Sequence, residues 1–566
     1  MTIVVDNESS ILSRLPSLIA ATIVQSWLSF PVCSAQILEN GFGPLTSLPL
    51  AEQYGHLIEL DPAEESIFPQ ILLWSSESPL GAVIQLDDQR RGNVVGRMQF
   101  PKQPIQLFVE KLKKNESKYL IEISSSTLIV MDWNERDSLT VLKQTALPFL
   151  PSTWCVADLN NDGNTDIALA EKNNPGIRPM FGNGKGGFRV GKLIAPDNAI
   201  GAIAAAYLNN DFLVDLIVFD WVKSELHALY GVGRGRFLDQ STFPVFSDVE
   251  SIDARPTRND GPLDLVLRTR EPGGLQIWDG NDLGDFRQRE NSFSFEPRSP
   301  VRIFDANAHK QAGLLSVVGS REAKIFPRLD DPDNFVTVAG TSEIRDGMLL
   351  NSSDSTAVLA LLGGDGKELT FVSSFAGRVP WQDSLVLAVG GGAAGVSISE
   401  LRDNGRTSIL TVNSGSRSIS IFDVERDGGF RAQRQIQMDT AAAEISLIQS
   451  SDSTAHAILT DESRGIVTNA TVHLYARTIE SNIIPTSIGT TVLFTSRRAE
   501  SVEFGTEVRA AAQHSASFSF FRQLNESQFL EQTFRLPEES NEKVSRISSA
   551  RHQAVKSVCK HDLKLK

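Results

Sequence analysis

The chain has 566 residues, of which 41% are hydrophobic and 22% are charged, so it can bury a core and is not a disordered tract. Its 54 basic and 69 acidic residues give a net charge of −15, which disfavours a nucleic-acid partner because such partners require a basic face. The three cysteines provide no disulfide framework.

An apolar stretch near the N-terminus predicts export. Arg14 precedes residues 15–32, and Ser34 and Ala35 supply the small side chains that a signal peptidase prefers. Pro16, Gln25 and Pro31 interrupt this apolar stretch, and a buried N-terminal helix is the alternative. Residues 1–35 are therefore predicted to be a signal peptide and the protein to be secreted, periplasmic or on the cell surface.

Residues 36–104 lie between this leader and the periodic part of the chain, and they can contribute to the first structural unit. No segment after the leader is long and apolar enough to span a bilayer, so we expect no integral membrane segment in the mature chain.

Residues 158–169 contain the most informative motif. Five residues of a loop place side-chain or carbonyl oxygens where a hard cation such as Ca²⁺ needs them: Asp158, Asn160, Asp162, Asn164 and Asp166. Gly163 allows the sharp turn that such a loop makes. An EF-hand would need a bidentate Glu at the twelfth position, where Leu169 stands, so the helix-loop-helix alternative fails.

This loop recurs with a period of about 49 residues. Successive copies precede apolar strands at 216–218, 265–267 and 314–318, and a later copy begins at Glu400. A phenylalanine stands at the same position near the end of five of these units: Phe188, Phe237, Phe286, Phe335 and Phe430. A unit of this length that is rich in short strands and turns is typical of one four-stranded propeller blade.

The loop and the turn that follows it, Phe181-Gly182-Asn183-Gly184-Lys185-Gly186-Gly187-Phe188, resemble the FG-GAP and VCBS repeats of secreted bacterial β-propellers and of integrin-alpha N-terminal domains. Together with the period, the resemblance predicts an all-β fold, a β-propeller of seven or eight four-stranded blades over residues 105–533, with eight slightly favoured. The first and last units can share a blade, because strands from both termini then remove an exposed sheet edge. Residues 534–566 are polar and then basic, and we expect a disordered tail or, alternatively, a partner-binding arm.

Only the loop of Asp158 keeps every side-chain ligand, so we expect one structural Ca²⁺ site and a weaker second site at Asp211 and Asp215. In other copies Arg258 and Arg402 occupy the third ligand position. There the guanidinium can replace the ion by pairing with an acidic residue of its own loop, Asp260 or Glu400.

The glycine-rich turn lacks the Lys-Ser or Lys-Thr pair of a phosphate loop, so it is predicted to be an interstrand turn. No zinc spacing and no nucleophile elbow occurs in the sequence. We therefore expect a monomeric, non-catalytic binding or scaffold propeller that presents a loop face to a protein or glycan. The alternative is an enzyme, resembling polysaccharide lyases or quinone-dependent dehydrogenases, that acts at the central channel, where convergent His, Arg or Tyr side chains would favour it.

Overall fold

The computed structural model describes residues 42–535, apart from the internal gaps 61–68, 114–117, 134–138, 210, 259–260, 272, 282, 296–298, 306–311, 319–320, 352–356, 375–377, 380–386, 399–405, 426–429, 432–433, 451–452, 462, 475–477, 486–489, 499–500, 510–515 and 526–527. The predicted signal peptide and nearly all of the predicted tail lie outside the described residues. Among the residues that are described, no helix has the length and apolar character needed to cross a membrane.

Six sheets, blades 1–6, each consist of four consecutive antiparallel strands in simple up-and-down order. Blade 1 contains β2 (His56–Glu59), β3 (Ile71–Ser75), β4 (Ser78–Leu86) and β5 (Gly92–Gln99). Blade 2 contains β6 (Gln106–Lys111), β7 (Lys118–Ser124), β8 (Thr127–Trp133) and β9 (Leu139–Ala146). Blade 3 contains β10 (Thr153–Ala157), β11 (Asp166–Glu171), β12 (Asn174–Gly182) and β13 (Phe188–Val190).

Blades 4–6 continue the same pattern. Blade 4 contains β14 (Ile200–Ala206), β15 (Asp215–Asp220), β16 (Glu225–Gly231) and β17 (Phe237–Pro244). Blade 5 contains β18 (Val249–Arg255), β19 (Asp264–Thr269), β20 (Gly274–Gly280) and β21 (Phe286–Ser294). Blade 6 contains β22 (Val301–Asp305), β23 (Ala312–Val318), β24 (Glu322–Phe326) and β25 (Val336–Ala339).

Blade 7 is built from both ends of the ring. It contains β26 (Ile344–Asn351), β27 (Ala357–Gly363) and β28 (Glu368–Ser374), and its fourth strand is β1 (Phe42–Pro49). β1 runs antiparallel to β28, with Phe42 opposite Ser374 and Leu48 opposite Leu369. The N-terminal strand therefore covers the edge that β28 would otherwise expose.

The apolar cores show that the seven blades form a closed ring. One cluster joins blade 7 to blade 1 through Leu350, Leu57 and their neighbours, and six further clusters join each blade to the next. First strands of neighbouring blades contact each other, as in β10 with β14 and β26 with β2, so these strands lie nearest the ring axis.

The predicted all-β propeller of four-stranded blades is confirmed, with seven blades in the ring rather than the slightly favoured eight. The ring spans residues 42–374, whereas the sequence placed it at 105–533. The difference arises because residues 42–99 form strands without the loop motif, while the repeat pattern continues beyond the closing strand β28.

The phenylalanine register is explained by packing between blades. Phe188, Phe237, Phe286 and Phe335 stand at or just before the fourth strand of blades 3–6, and each packs into the apolar cluster that its blade shares with the preceding one. Each repeat thus contributes one phenylalanine ring to the apolar core between its own blade and the preceding one. This shared packing role explains why phenylalanine recurs with the period of the repeat.

Three more sheets follow the ring. The first has six strands: β29 (Arg378–Val379), β30 (Ala393–Ile398), β31 (Arg406–Asn413), β32 (Ser418–Glu425), β33 (Phe430–Arg431) and β34 (Arg434–Gln437). The second contains β35 (Glu444–Ser450), β36 (Thr454–Asp461), β37 (Ile466–His473) and β38 (Thr478–Pro485) and shares an apolar cluster with the first. The third contains β39 (Thr490–Arg498), β40 (Ser501–Arg509), β41 (Ala516–Asn525) and β42 (Gln528–Arg535).

A side-chain amide attaches the first of these sheets to the outer edge of blade 6. Gln435 of β34 accepts a hydrogen bond from the Thr337 N–H of β25 at 2.9 Å and donates one to the Thr337 carbonyl oxygen at 2.7 Å. The amide thus makes the two bonds that a neighbouring strand would make. The connecting segment adds a bond from the Ala388 N–H to the Gly43 carbonyl oxygen of β1, at 3.0 Å.

Candidate functional site

The repeat loops lie on one face of the ring. We call lower the face that holds the connections between first and second strands and between third and fourth strands, and upper the opposite face. The predicted calcium loop and the glycine-rich turn of blade 3 both lie on the lower face, since they precede β11 and β13. The glycine-rich segment is an interstrand turn, as predicted.

A buried aspartate anchors each loop of blades 3–5. These aspartates begin the second strands, are fully buried, and each accepts a hydrogen bond from a glycine N–H at the end of the third strand. The three pairs are Asp166 with Gly182 at 2.7 Å, Asp215 with Gly231 at 2.8 Å and Asp264 with Gly280 at 2.9 Å. The bond fixes the loop to the adjacent strand end without help from the loop tip.

Only glycine fits at the donor position. A Cβ atom on Gly231 would overlap the carbonyl oxygen of Val214, the residue just before the anchoring Asp215. The equivalent carbonyl oxygens, of Thr165 and Leu263, block Gly182 and Gly280 in the same way. The aspartate, the glycine and the closely packed loop backbone therefore recur as one unit.

In blade 3 the loop turns around the side chain of Asp158. Its carboxylate accepts hydrogen bonds from the Asp162 N–H at 3.0 Å and from the Gly163 N–H at 2.8 Å. Gly163 has φ of 84°, a left-handed conformation that glycine adopts without steric cost. The Asn164 N–H donates to the Asp162 carboxylate at 2.9 Å, so the tip is ordered by its own acidic side chains.

Asp166 keeps one oxygen without a partner. Its Oδ2 is buried and makes no hydrogen bond to any residue that the structure describes. Burial, with a smaller contribution from the charges of Asp162 and Asp158, raises the pKa of Asp166 to about 7, although the N–H groups of Gly182 and Asn160 lower it. A cation beside Oδ2 would satisfy this oxygen and relieve the repulsion, so the chemistry of the donor set suits Ca²⁺.

The predicted ligands are not gathered into a compact cluster. Within the described ranges, no group of three or more His, Cys, Asp or Glu side chains is placed to hold a metal ion. The Ca²⁺ site at Asp158, Asn160, Asp162, Asn164 and Asp166 thus stays a prediction.

Blade 4 satisfies its aspartate by another route. The second oxygen of Asp215 accepts the Leu208 N–H at 2.9 Å, whereas the Asp211 carboxylate accepts the Leu213 N–H of its own loop at 2.8 Å. Burial raises the pKa of Asp215. Both Asp215 oxygens are bonded without an ion, and the weaker Ca²⁺ site at Asp211 and Asp215 also stays a prediction.

In blade 5 a guanidinium group stands where an ion was expected in blade 3. Arg258 donates to Asp264 at 3.0 Å, and Arg289 lies 3.8 Å from the other oxygen of the same carboxylate. The sequence predicted that Arg258 would replace the ion but named Asp260 as its partner, and Asp260 lies outside the described residues. Asp264 is the described partner because it is buried and its charge needs compensation.

The copy that begins at Glu400 lies largely outside the described residues, including Glu400 and Arg402. Its last ligand position holds the buried Ser408, which donates to Asp423 at 2.5 Å, and Arg434 binds the other oxygen of Asp423 at 2.6 Å. A hydroxyl and a guanidinium thus share this carboxylate.

Near the ring axis, a charged network that the sequence did not reveal joins blades 6, 7 and 1. Arg302 of β22 contacts Asp346 of β26 at 2.6 Å and the Leu57 carbonyl oxygen of β2 at 2.7 Å. The Leu57 N–H donates to Asp346 at 3.0 Å, and burial lowers the pKa of the neighbouring His56. Arg302 and Asp346 are therefore engaged with each other and with the backbone.

Comparison with known proteins gives limited information. No protein-family description and no curated protein sequence matches the chain. Among solved structures, the chain is similar to BBS1N, solved in complex with ARL6DN and soaked with lead, with a TM-score of 0.42 and 8% identity over 59% of this chain and 97% of that chain. The propeller fold stated above rests on the sheet order and the seven shared cores, and the FG-GAP and VCBS resemblance rests on the repeat motif.

We expect Gly231→Ala to destabilise the protein by about 1–3 kcal/mol, because the added methyl group overlaps the Val214 carbonyl oxygen and pushes the residue 231 N–H away from Asp215. Gly55→Ala is the matched control, since the atoms nearest to its Cβ would belong to the flexible Arg345 side chain, at an ordinary contact distance of 3.6 Å. Urea unfolding of both variants measures the difference. An equal effect of the two substitutions would contradict the anchoring role.

Proposed function

We propose that the protein is an exported, non-catalytic binding or scaffold propeller of the FG-GAP and VCBS type, which presents a loop face to a protein or glycan. The observation that carries the proposal is the exposure of large apolar side chains at loop tips of the ring. Phe212 on the lower face is 86% exposed and Phe246 on the upper face is 92% exposed. Burial of such side chains against a partner contributes binding free energy.

The repeat architecture supports this function because it separates anchors from tips. Blades 3–5 keep the aspartate and glycine anchors, whereas the first loop position changes from Asp158 to Tyr207 to Pro256. A rigid scaffold that tolerates different tip residues is what a binding surface requires. The engaged charges of Arg302 and Asp346 near the axis give no support to the enzyme alternative.

Binding is tested by screening the full chain against a glycan array and a phage-displayed random peptide library. We expect a glycan or peptide ligand that the double variant Phe212→Gly, Phe246→Ser binds at least about tenfold more weakly, if the exposed tips contribute. Circular dichroism of the variant controls for folding. The proposal fails if neither screen yields a ligand whose binding depends on these tips.

We further propose that the loop of Asp158, Asn160, Asp162, Asn164 and Asp166 binds one Ca²⁺ ion that stabilises blade 3 and takes part in no reaction. The unpartnered Oδ2 of Asp166 supports this part of the proposal, as does the rise in the Asp166 pKa to which the charges of Asp162 and Asp158 contribute. Extracellular calcium modules bind at roughly 0.1–1 mM. At ~1 mM Ca²⁺ and a dissociation constant of ~0.1 mM the stabilisation is about 1.4 kcal/mol, a local contribution to one blade.

Isothermal titration should detect one Ca²⁺ ion bound with millimolar or tighter affinity to the wild type, and this binding event should be lost in Asp162→Ala. The same substitution should abolish the calcium-dependent part of the thermal stability and leave melting in chelator nearly unchanged, because Asp162 is exposed at the loop tip. Asp211→Ala, at the same position of blade 4, is the matched control and should retain the blade 3 ion. Wild-type calcium affinity and stoichiometry in Asp162→Ala would overturn the assignment.

A further inference from the structure

Phe212 is held in a conformation that its side chain disfavours, and it gains no burial in return. It occupies the position that Gly163 holds in the preceding repeat, and it has φ of 61°, in the left-handed region that a bulky residue rarely adopts. Its ring is nevertheless 86% exposed. Strain together with exposure is typical of a residue that serves binding rather than folding.

Further apolar side chains lie beside Phe212 on the lower face. The Cβ of the next residue, Leu213, lies 3.5 Å from the position that a Cβ on Gly231 would take, so the Phe212 loop adjoins the turn that contains Val232. The Tyr230 hydroxyl donates to the Gly284 carbonyl oxygen at 3.3 Å, which places the Leu283 turn of blade 5 against the same strand end. Leu283 is 76% exposed and Leu238, at the start of β17, is 51% exposed.

Basic side chains accompany these apolar ones. The turns between third and fourth strands of blades 3–5, and the strand starts that follow them, carry four exposed cations: Lys185, Arg234, Arg236 and Arg287. Within the part of the chain that the structure describes, none of the four side chains makes an ion pair or a hydrogen bond. The turns adjoin one another, since Gly235 of blade 4 lies against the ring of Phe181 in blade 3.

We propose that this lower rim, defined by Phe212, Val232, Leu238, Leu283 and the four cations, binds an acidic peptide segment of a partner protein that also carries aromatic or aliphatic side chains. The inference rests on the proposed binding function and names its partner class. Carboxylates of such a segment pair with the arginines, which present planar donors for bidentate contacts. Its apolar side chains cover Phe212 and Leu283, and the desolvated apolar area supplies the affinity.

An anionic membrane would also match exposed apolar and basic side chains, but the distribution of charge on the lower face favours a peptide. A bilayer would have to approach the whole lower surface, whose loops also carry the exposed carboxylates of Asp162 and Asp211. An extended peptide touches only the rim, where the described cations are unpaired.

The test is selection of a phage-displayed random peptide library on the full chain, followed by affinity measurement with the enriched peptides. We expect enriched sequences that combine Asp or Glu with Phe, Leu or Ile. Phe212→Gly restores the glycine that Gly163 provides in blade 3, so folding is retained, and we expect it to weaken peptide binding at least about tenfold. Arg234→Gln combined with Arg236→Gln should weaken binding similarly and reduce its salt dependence.

Val222→Ser is the matched control, because Val222 is a 65% exposed apolar residue in the turn between β15 and β16 on the upper face, and the substitution should leave binding unchanged. Vesicles of phosphatidylcholine and phosphatidylserine form the second arm, and we expect no binding to them. Equal peptide affinity of wild type and Phe212→Gly, enrichment of basic peptides, or binding to the vesicles alone would overturn the inference. A glycan ligand without any peptide ligand would overturn it too, while leaving the proposed binding function intact.

Discussion

The pairing of β1 with β28 is the constraint on which the ring depends. Every blade interface buries apolar side chains from two sheets, so a ring of seven blades is complete only when blade 7 is itself a full sheet. The fourth strand of that blade comes from residues 42–49, more than three hundred residues before β28. Phe42 then packs into the core between blades 6 and 7, and the contacts of Arg302 and Asp346 with Leu57 join blade 1 to the same junction.

A closed ring explains how the repeat loops can vary. Each anchoring aspartate accepts a hydrogen bond from a glycine N–H of its own blade. The position of the loop therefore depends little on the residues at its tip. The charge of the anchor is then handled differently in each blade: Asp215 accepts a backbone N–H, Asp264 binds Arg258, and Asp166 retains an oxygen for a ligand that we propose to be Ca²⁺. The loop tips are consequently available for recognition, and Phe212 is the clearest example.

The repeat register was predictable from the sequence because the same physical task recurs in each blade. Phe188, Phe237 and Phe286 seal equivalent interfaces, and the aspartate and glycine anchors recur with them. The start of the ring was not predictable in this way, because β2 to β5 pack through buried apolar side chains without the loop motif. The end of the ring was not predictable either, because the repeat motif continues in the first sheet after the ring. There Ser408 occupies the position of an anchoring aspartate.

Contacts between distant residues left no signal in the sequence. Arg302 and Asp346 are brought together by ring closure, and nothing in their local sequence distinguishes them from other charged residues on strands. The strain at Phe212 was visible only as the loss of a glycine from the motif. Its meaning emerged from the exposure of the ring and from the cations on the adjacent turns.

Disulfide trapping of the closing strand tests the central claim most directly. Ser47 and Thr370 are register partners on β1 and β28, close enough for a disulfide between Cys substitutions. The account predicts efficient oxidation of Ser47→Cys with Thr370→Cys, a cross-linked peptide in mass spectrometry, and no cross-link in the out-of-register pair Ser47→Cys with Ser373→Cys. Failure of the first pair to form, or equal yield from both pairs, would contradict a ring closed by residues 42–49.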